Sequence, residues 1–148
     1  MTTIACTAIA MAADGLVTRE GMIVSTKDVK VWRAKDGAII GGSGTRGFDK
    51  ALLAWWEAGA EGAFPHGKEF NALILKPDGT CLFVGDCGYP TEQSLPTAIG
   101  SGCEYALGAM DAGANARRAV EIAAGRNPTT GGKIVVLHRP VQKHRASA

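Results

Sequence analysis

An α+β fold is predicted by three observations. β-tolerant segments crowd residues 2–42, one amphipathic helix separates them from a hairpin, and two consecutive helices precede a Val-rich closing strand. No βαβ unit repeats, so the pattern does not describe a doubly wound parallel sheet. The two blocks of helix are placed to cover the outer faces of two stacked antiparallel sheets, a four-layer arrangement.

Residues 2–13 are apolar and short in charge, and Asp14-Gly15 then offers a turn before a second strand at 16–18. Further strands are expected at 22–25 and 29–33. In the latter, Val29, Val31 and Arg33 alternate with Lys30 and Trp32, which therefore share a face. The Asp36-Gly37 turn opens a short strand at 38–42, and Gly42-Ser43-Gly44 leads into a helix with Phe48, Leu52, Trp55 and Trp56 on one side, ended by Gly59 and Gly62. After a mobile-looking segment at 60–69, a hairpin pairs 70–76 with 80–84 across Pro77-Asp78-Gly79. Residues 85–96 read as loop and 97–100 as a short strand. Ser101-x-x-Glu104 is a capping-box pattern that starts a helix stopped by Gly113. A second helix opens at Asn115, buries Ala116 and Val120, and ends near Gly125. The strand 133–138 closes a single domain, 1–138, and 139–148 forms a basic tail expected to be disordered.

With 148 residues the chain can bury a real core. Sixteen Lys and Arg against 14 Asp and Glu give +2, with only 20% charged residues. That balance excludes an acidic disordered chain and a strongly basic nucleic-acid binder. The 20 glycines and 24 alanines follow no fixed period, which points to close backbone packing rather than to collagen or a linker. No apolar stretch reaches the length of a membrane span, and no basic segment precedes the first apolar run, so a cytoplasmic protein is expected. Cys6, Cys81, Cys87 and Cys103 form no CxxC pair and have no His at zinc-site spacing; they read as reduced thiols, with no metal and no cofactor expected.

Three features could carry chemistry. Methionine aminopeptidase removes an initiator Met before a small residue, so Thr2 would gain a free α-amine beside its own hydroxyl; with an ordinary pKa of about 8, that amine can accept a proton near neutrality. Lys30 lies in a Val-rich strand where a buried ammonium would need a carboxylate, and Asp14 is a candidate; a solvated edge lysine is the alternative. Gly-rich junctions at 41–44, 100–102 and 130–132 expose backbone N–H groups able to hold an oxyanion, or are simply turns. None matches GxxxxGK[ST] or GxGxxG, so nucleotide binding has no support.

Taken in order, the start Thr2-Thr3-Ile4, Met11-Ala12-Ala13-Asp14-Gly15 with Thr18, Val29-Lys30-Val31-Trp32-Arg33, Ile39-Ile40-Gly41-Gly42-Ser43-Gly44, Ile99-Gly100-Ser101-Gly102 with Tyr105-Ala106, and Thr130-Gly131-Gly132 resemble the proteasome β-subunit superfamily, and within it the HslV-like bacterial and phage branches. The likeness runs from Thr2 to about Leu137. It implies an N-terminal nucleophile hydrolase with an αββα sandwich. By this resemblance Thr2 is the nucleophile and its amine the general base, and Lys30 lowers the pKa of both groups. Asp14 pairs with Lys30, the Gly42 N–H donates to the oxyanion, and Ser101 hydrogen-bonds the Thr2 amine or its water. Thr130, Gly131 and Asn127 support the site; Asn127 stands where proteasomal members carry Asp. Arg33, Ser43, Gly44 and Thr45 are expected around the substrate pocket. The first hairpin, centred on Cys6-Thr7-Ala8-Ile9, is short and lacks a Gly turn.

The implied activity is a threonine-type endopeptidase in a homo-oligomeric, stacked ring, acting on unfolded polypeptide with an ATP-dependent unfoldase as possible partner. Neither nucleic acid nor membrane is an expected partner. A proteasome-like subunit that assembles without cutting, and an amidohydrolase for a small molecule, are the competing readings.

Overall fold

The computed structural model describes residues 2–140. The chain is α+β. One sheet of four antiparallel strands has the order β10-β1-β2-β11, with β1 at Thr3–Cys6, β2 at Ala10–Ala13, β10 at Thr97–Gly100 and β11 at Val135–His138. A second, of five strands, runs β5-β6-β7-β8-β9, from Val31–Arg33, Ile39–Gly44, Phe70–Leu75, Cys81–Val84 and Thr91–Gln93. A separate hairpin joins β3 (Val17–Arg19) to β4 (Met22–Ser25). Helix α1 spans Phe48–Glu57, α2 Cys103–Asp111 and α3 Ala116–Ala124.

Strand alternation sorts the side chains into three apolar clusters. Ile4, Cys6, Met11 and Ala13 from the first sheet meet Val31, Ile39, Leu73, Leu75 and Cys81 from the second. From the opposite side of β1 and β2, Ala5, Ala10 and Ala12 pack on Ala106, Met110, Ala116, Ala119, Val120 and Ala123 of α2 and α3. On the outer side of the second sheet, Ala38, Ile40, Ala72, Ile74 and Val84 lie under Leu52 of α1, with Phe64 and Phe70. Alanine facing alanine explains the composition, because it lets the helix pair sit close to β1 and β2. The sheets also approach closely: a Cβ on Gly41 would lie 2.7 Å from the Met11 sulfur. Truncating a side chain such as the fully buried Leu73 to Ala costs about 2–5 kcal/mol in such a core.

Several expected boundaries move. The segment 2–13, one strand by its residue pattern alone, is the hairpin that the resemblance implies, turning at Thr7–Ile9. Thr7 supplies what a Gly turn would: its Oγ1 accepts from the N–H groups of Ile9 (3.3 Å) and Ala10 (3.2 Å), while its own N–H donates to the Ala10 carbonyl at 2.9 Å. Residues 85–96 contain a strand, β9, whose Thr-Glu-Gln sequence gives no apolar alternation because it edges the sheet. Ser101 does not cap α2; the N-cap is Gly102, without a side-chain bond, because the Ser101 hydroxyl is engaged elsewhere. Asn115 does cap α3, accepting from the Arg118 N–H at 2.8 Å. Arg139, expected in the tail, is tied down: its N–H donates to the Ile9 carbonyl, and its guanidinium to the carbonyls of Ala8 (2.7 Å) and Pro77 (3.0 Å). The rest of the expected tail, 141–148, and the expected processing of Met1 lie outside the described residues. Among the described residues no helix is long and apolar enough to cross a membrane.

Candidate active site

The chain start is fixed by its pairing with β10. Thr3 lies opposite Gly100, and the Ser101 N–H donates to the Thr2 carbonyl at 2.7 Å. Gly100 has φ +98°, and a Cβ there would stand 1.7 Å from the Thr2 carbonyl oxygen, so only glycine permits this approach. The next residue is clamped from three sides. Thr3 N–H donates to Asp14 Oδ1 (3.0 Å), and its Oγ1 accepts from the Gly102 N–H (3.0 Å) and shares a proton with Thr130 Oγ1 (2.7 Å). Thr2 itself is 3% exposed.

Asp14 and Lys30 form a fully buried ion pair, Nζ to Oδ1 3.1 Å. The carboxylate also accepts the N–H groups of Thr3, Leu16 (3.4 Å) and Gly131 (3.0 Å), and Lys30 Nζ donates to the Leu16 carbonyl at 2.7 Å. Asp14 thus knits β1, the lysine just before β5 and the 130–132 junction at one point. Burial pulls the Lys30 ammonium below the ordinary lysine value, and the Asp14 charge and hydrogen bond pull it back. Thr2 and Lys30 line one small cleft of about 110 Å³, with Leu16, Val17, Gly44 and Arg46 on its walls.

The Gly42 N–H, expected to serve an oxyanion, is already engaged. Gly42 N–H donates to the Lys30 carbonyl at 3.3 Å, the last bond between β6 and the β5 segment, and is therefore occupied. Gly44 is the glycine that lines the cleft, and strand periodicity puts its N–H on the edge from which Gly42 donates. It has φ +132°, and the Glu69 carbonyl sits 2.3 Å from where a Cβ would be. Glycine at 42 serves packing, since the Phe70 ring fills the space a side chain would take.

Two pocket expectations need correction. Arg33 turns away to the His138 carbonyl (2.9 Å), and Thr45 spends its N–H on the Glu69 carbonyl (2.9 Å); neither lines the cleft. Ser43, Gly44 and Ser101 border an open groove of about 540 Å³ with Phe70 at its base. The larger recess beside Thr2, about 640 Å³, shares Val17 and Arg46 with the cleft and adds Asp28, Val29, Trp32 and Lys50. Arg46 is held by Asp28 at 3.2 Å, and the buried Trp32 indole N–H has no partner among the described residues.

Behind Ser101 lies a closed polar circuit. Ser101 Oγ contacts Thr129 Oγ1 at 2.9 Å, Thr129 Oγ1 donates to Asn127 Oδ1 at 2.7 Å, and Asn127 Nδ2 returns to the Ser101 carbonyl at 2.6 Å. The Thr129 N–H also donates to Asn127 Oδ1, at 2.8 Å. Thr130, expected to support the site, bonds the Thr3 hydroxyl. Gly131 serves Asp14 with its N–H and accepts the Gly15 N–H at 2.9 Å.

No protein-family model matches the sequence, and no curated protein matches it significantly. Solved structures do. The BPH of Thiobacillus denitrificans, a bacterial proteasome homologue, superposes with a TM-score of 0.71 at 22% identity over 95% of this chain and 99% of that one. Its complex with epoxomicin gives 0.69 at 21% over the same shares, and the eukaryotic HslV from Trypanosoma brucei 0.73 at 19% over 93% and 98%. The chain has a proteasome β-subunit-like fold.

Within this proteasome-like fold, Thr2 shares a cleft with Lys30, Asp14 bonds Lys30 and the Gly131 N–H, and Ser101 links the Thr2 carbonyl to Asn127. The structure adds Thr129 and the wall of Val17, Trp32 and Arg46, and it sets Gly44, expected at the pocket, in the cleft itself. The Trp32 wall was half legible, because alternation along 29–33 put Lys30 and Trp32 on one face. Thr129 carried no signal beyond being a hydroxyl beside Thr130.

Proposed function

We propose that this chain is a threonine-type peptidase subunit of the N-terminal nucleophile hydrolase type, built as a four-layer αββα sandwich. The observation that carries the reading is the shared cleft of Thr2 and Lys30, the latter buried and ion-paired to Asp14. A nearby buried ammonium disfavours a second positive charge, so a free Thr2 amine stays neutral and basic near pH 7. That amine takes the proton of Thr2 Oγ1, which attacks the substrate carbonyl. The Gly44 N–H donates to the oxyanion, the protonated amine gives its proton to the leaving amine, and water then cleaves the acyl-ester. The reading requires Met1 to be removed, because an amide nitrogen at Thr2 is no base.

The recess of Val17, Val29 and Trp32, rimmed by Arg46 and Lys50, receives the side chain next to the cleaved bond. Assembly into stacked homo-oligomeric rings in the cytoplasm, fed with unfolded polypeptide by an ATP-dependent unfoldase, completes the proposal. It is supported by the β3–β4 hairpin, whose Met22 (61%), Ile23 (65%) and Val24 (44%) stand exposed side by side, a patch a monomer rarely leaves uncovered. A second reading, a subunit that assembles without cutting, is favoured by the neutral Asn127 alone. Hydrolysis of a casein substrate and of short fluorogenic peptides by the sized assembly, beside Thr2→Ala, tests the proposal. Activity lost in Thr2→Ala supports it; an assembled protein with Met1 removed and no turnover of either substrate selects the second reading.

A further inference from the structure

The circuit behind Ser101 admits one arrangement of protons. Asn127 is oriented by two neighbours: its Oδ1 accepts from the Thr129 N–H at 2.8 Å, and its Nδ2 donates to the Ser101 carbonyl at 2.6 Å. A flipped amide would set donor against donor and acceptor against acceptor. Thr129 has one hydroxyl proton, and it goes to Asn127 Oδ1 at 2.7 Å. In its 2.9 Å contact with Ser101, Thr129 Oγ1 must therefore accept. The single Ser101 proton is used there, in preference to the Thr2 carbonyl at 3.4 Å. Ser101 Oγ is left with lone pairs only, directly beside the residue whose amine is the proposed base.

Resting on the peptidase reading, we propose that Thr129 is a positioning residue: it fixes the Ser101 hydroxyl as an acceptor for an N–H of the Thr2 amine, so that the amine lone pair is left to face Thr2 Oγ1. Because the circuit is neutral throughout, it orients the base without adding a charge that would keep it protonated. The charged groups around Thr2 are Lys30 and Arg46, which line its cleft, Asp14, bonded to the Thr3 N–H, and Lys68 and Glu69 across the groove from Ser101. Without Thr129 Oγ1, the Ser101 proton is free to turn on the amine and block its lone pair.

The test measures kcat, KM and the pH profile of kcat/KM on a fluorogenic peptide for the assembled wild type, Thr129→Val, Thr129→Ser and Asn127→Asp. Thr129→Val, which keeps shape and loses the hydroxyl, should lower kcat about tenfold, below the roughly 10²–10⁴-fold that a general base contributes in full because the base is misoriented and not removed, with KM within twofold. Thr129→Ser should restore most of the rate. Asn127→Asp places a carboxylate near the amine and should move the acid limb up by about one pH unit. A Thr129→Val enzyme with wild-type kcat and an unshifted limb in Asn127→Asp would overturn the inference and leave the peptidase reading standing. A processed, assembled wild type without turnover would overturn both.

Discussion

Replacing Asp14 with Asn probes the joint on which the site is built. The carboxylate receives four donors: Lys30 Nζ at 3.1 Å and the N–H groups of Thr3, Gly131 and Leu16 at 3.0, 3.0 and 3.4 Å. An amide keeps one acceptor oxygen and turns an NH2 toward donors, while the ammonium loses its counter-charge in a fully buried position. Breaking a buried pair from one side costs about 3–5 kcal/mol. With a urea slope of about 2 kcal/mol/M for a domain of this size, the unfolding midpoint should fall by about 1.5–2.5 M at pH 7. Lys30→Met alone also destabilises, by leaving the carboxylate buried, but Asp14→Asn with Lys30→Met removes both charges and should recover part of the loss. The cycle should therefore show a coupling of about 2 kcal/mol. Urea unfolding at one fixed protein concentration, followed by tryptophan fluorescence, measures it. A loss below about 1 kcal/mol for Asp14→Asn, or strictly additive single changes, would refute a buried, mutually dependent pair.

Three further outcomes follow from the same geometry. Lys30 has its ammonium pKa lowered by burial, so between the folded value and the ordinary 10.5 the unfolded chain holds more protons and stability should rise with pH; Lys30→Met should lack that rise in a pH series of urea melts. Gly100→Ala should abolish reaction at Thr2, since its Cβ would displace the Thr2 carbonyl, whereas Gly108→Ala, on the exposed face of α2 with open space around it, should stabilise by about 0.5–1 kcal/mol in thermal melts. Trp32→Phe should cost less than about 1 kcal/mol, because the buried indole N–H has no acceptor among the described residues to lose, yet should alter the preference among fluorogenic peptides if Trp32 walls the substrate recess.

Much of the fold was legible because it rests on local signals. The 77–79 turn, the apolar side of α1 and the Asn115 cap are properties of a few adjacent residues. The first hairpin was missed as a residue pattern because its turn is made by a threonine hydroxyl rather than by glycine. β9 was missed because an edge strand need not alternate. In the site, Asp14 and Lys30 could be paired from charge and burial, but Gly42 and Gly44 could not be told apart. That choice depends on which N–H groups β5 leaves unused, a matter of where the β5 pairing ends and not of residue type. The Ser101–Thr129–Asn127 circuit joins residues 26 and 28 positions apart, so only the folded chain reveals it.

The central claim, that Thr2 is a competent nucleophile activated by its own amine, is tested most directly by intact mass before and after a peptide epoxyketone, beside Thr2→Ala. The reagent closes a ring with both the hydroxyl and the free amine, so a single mass shift reports both. The account predicts loss of Met1 and one adduct per chain, absent from Thr2→Ala. Complete loss of Met1 in an assembled protein that takes up no reagent would contradict it.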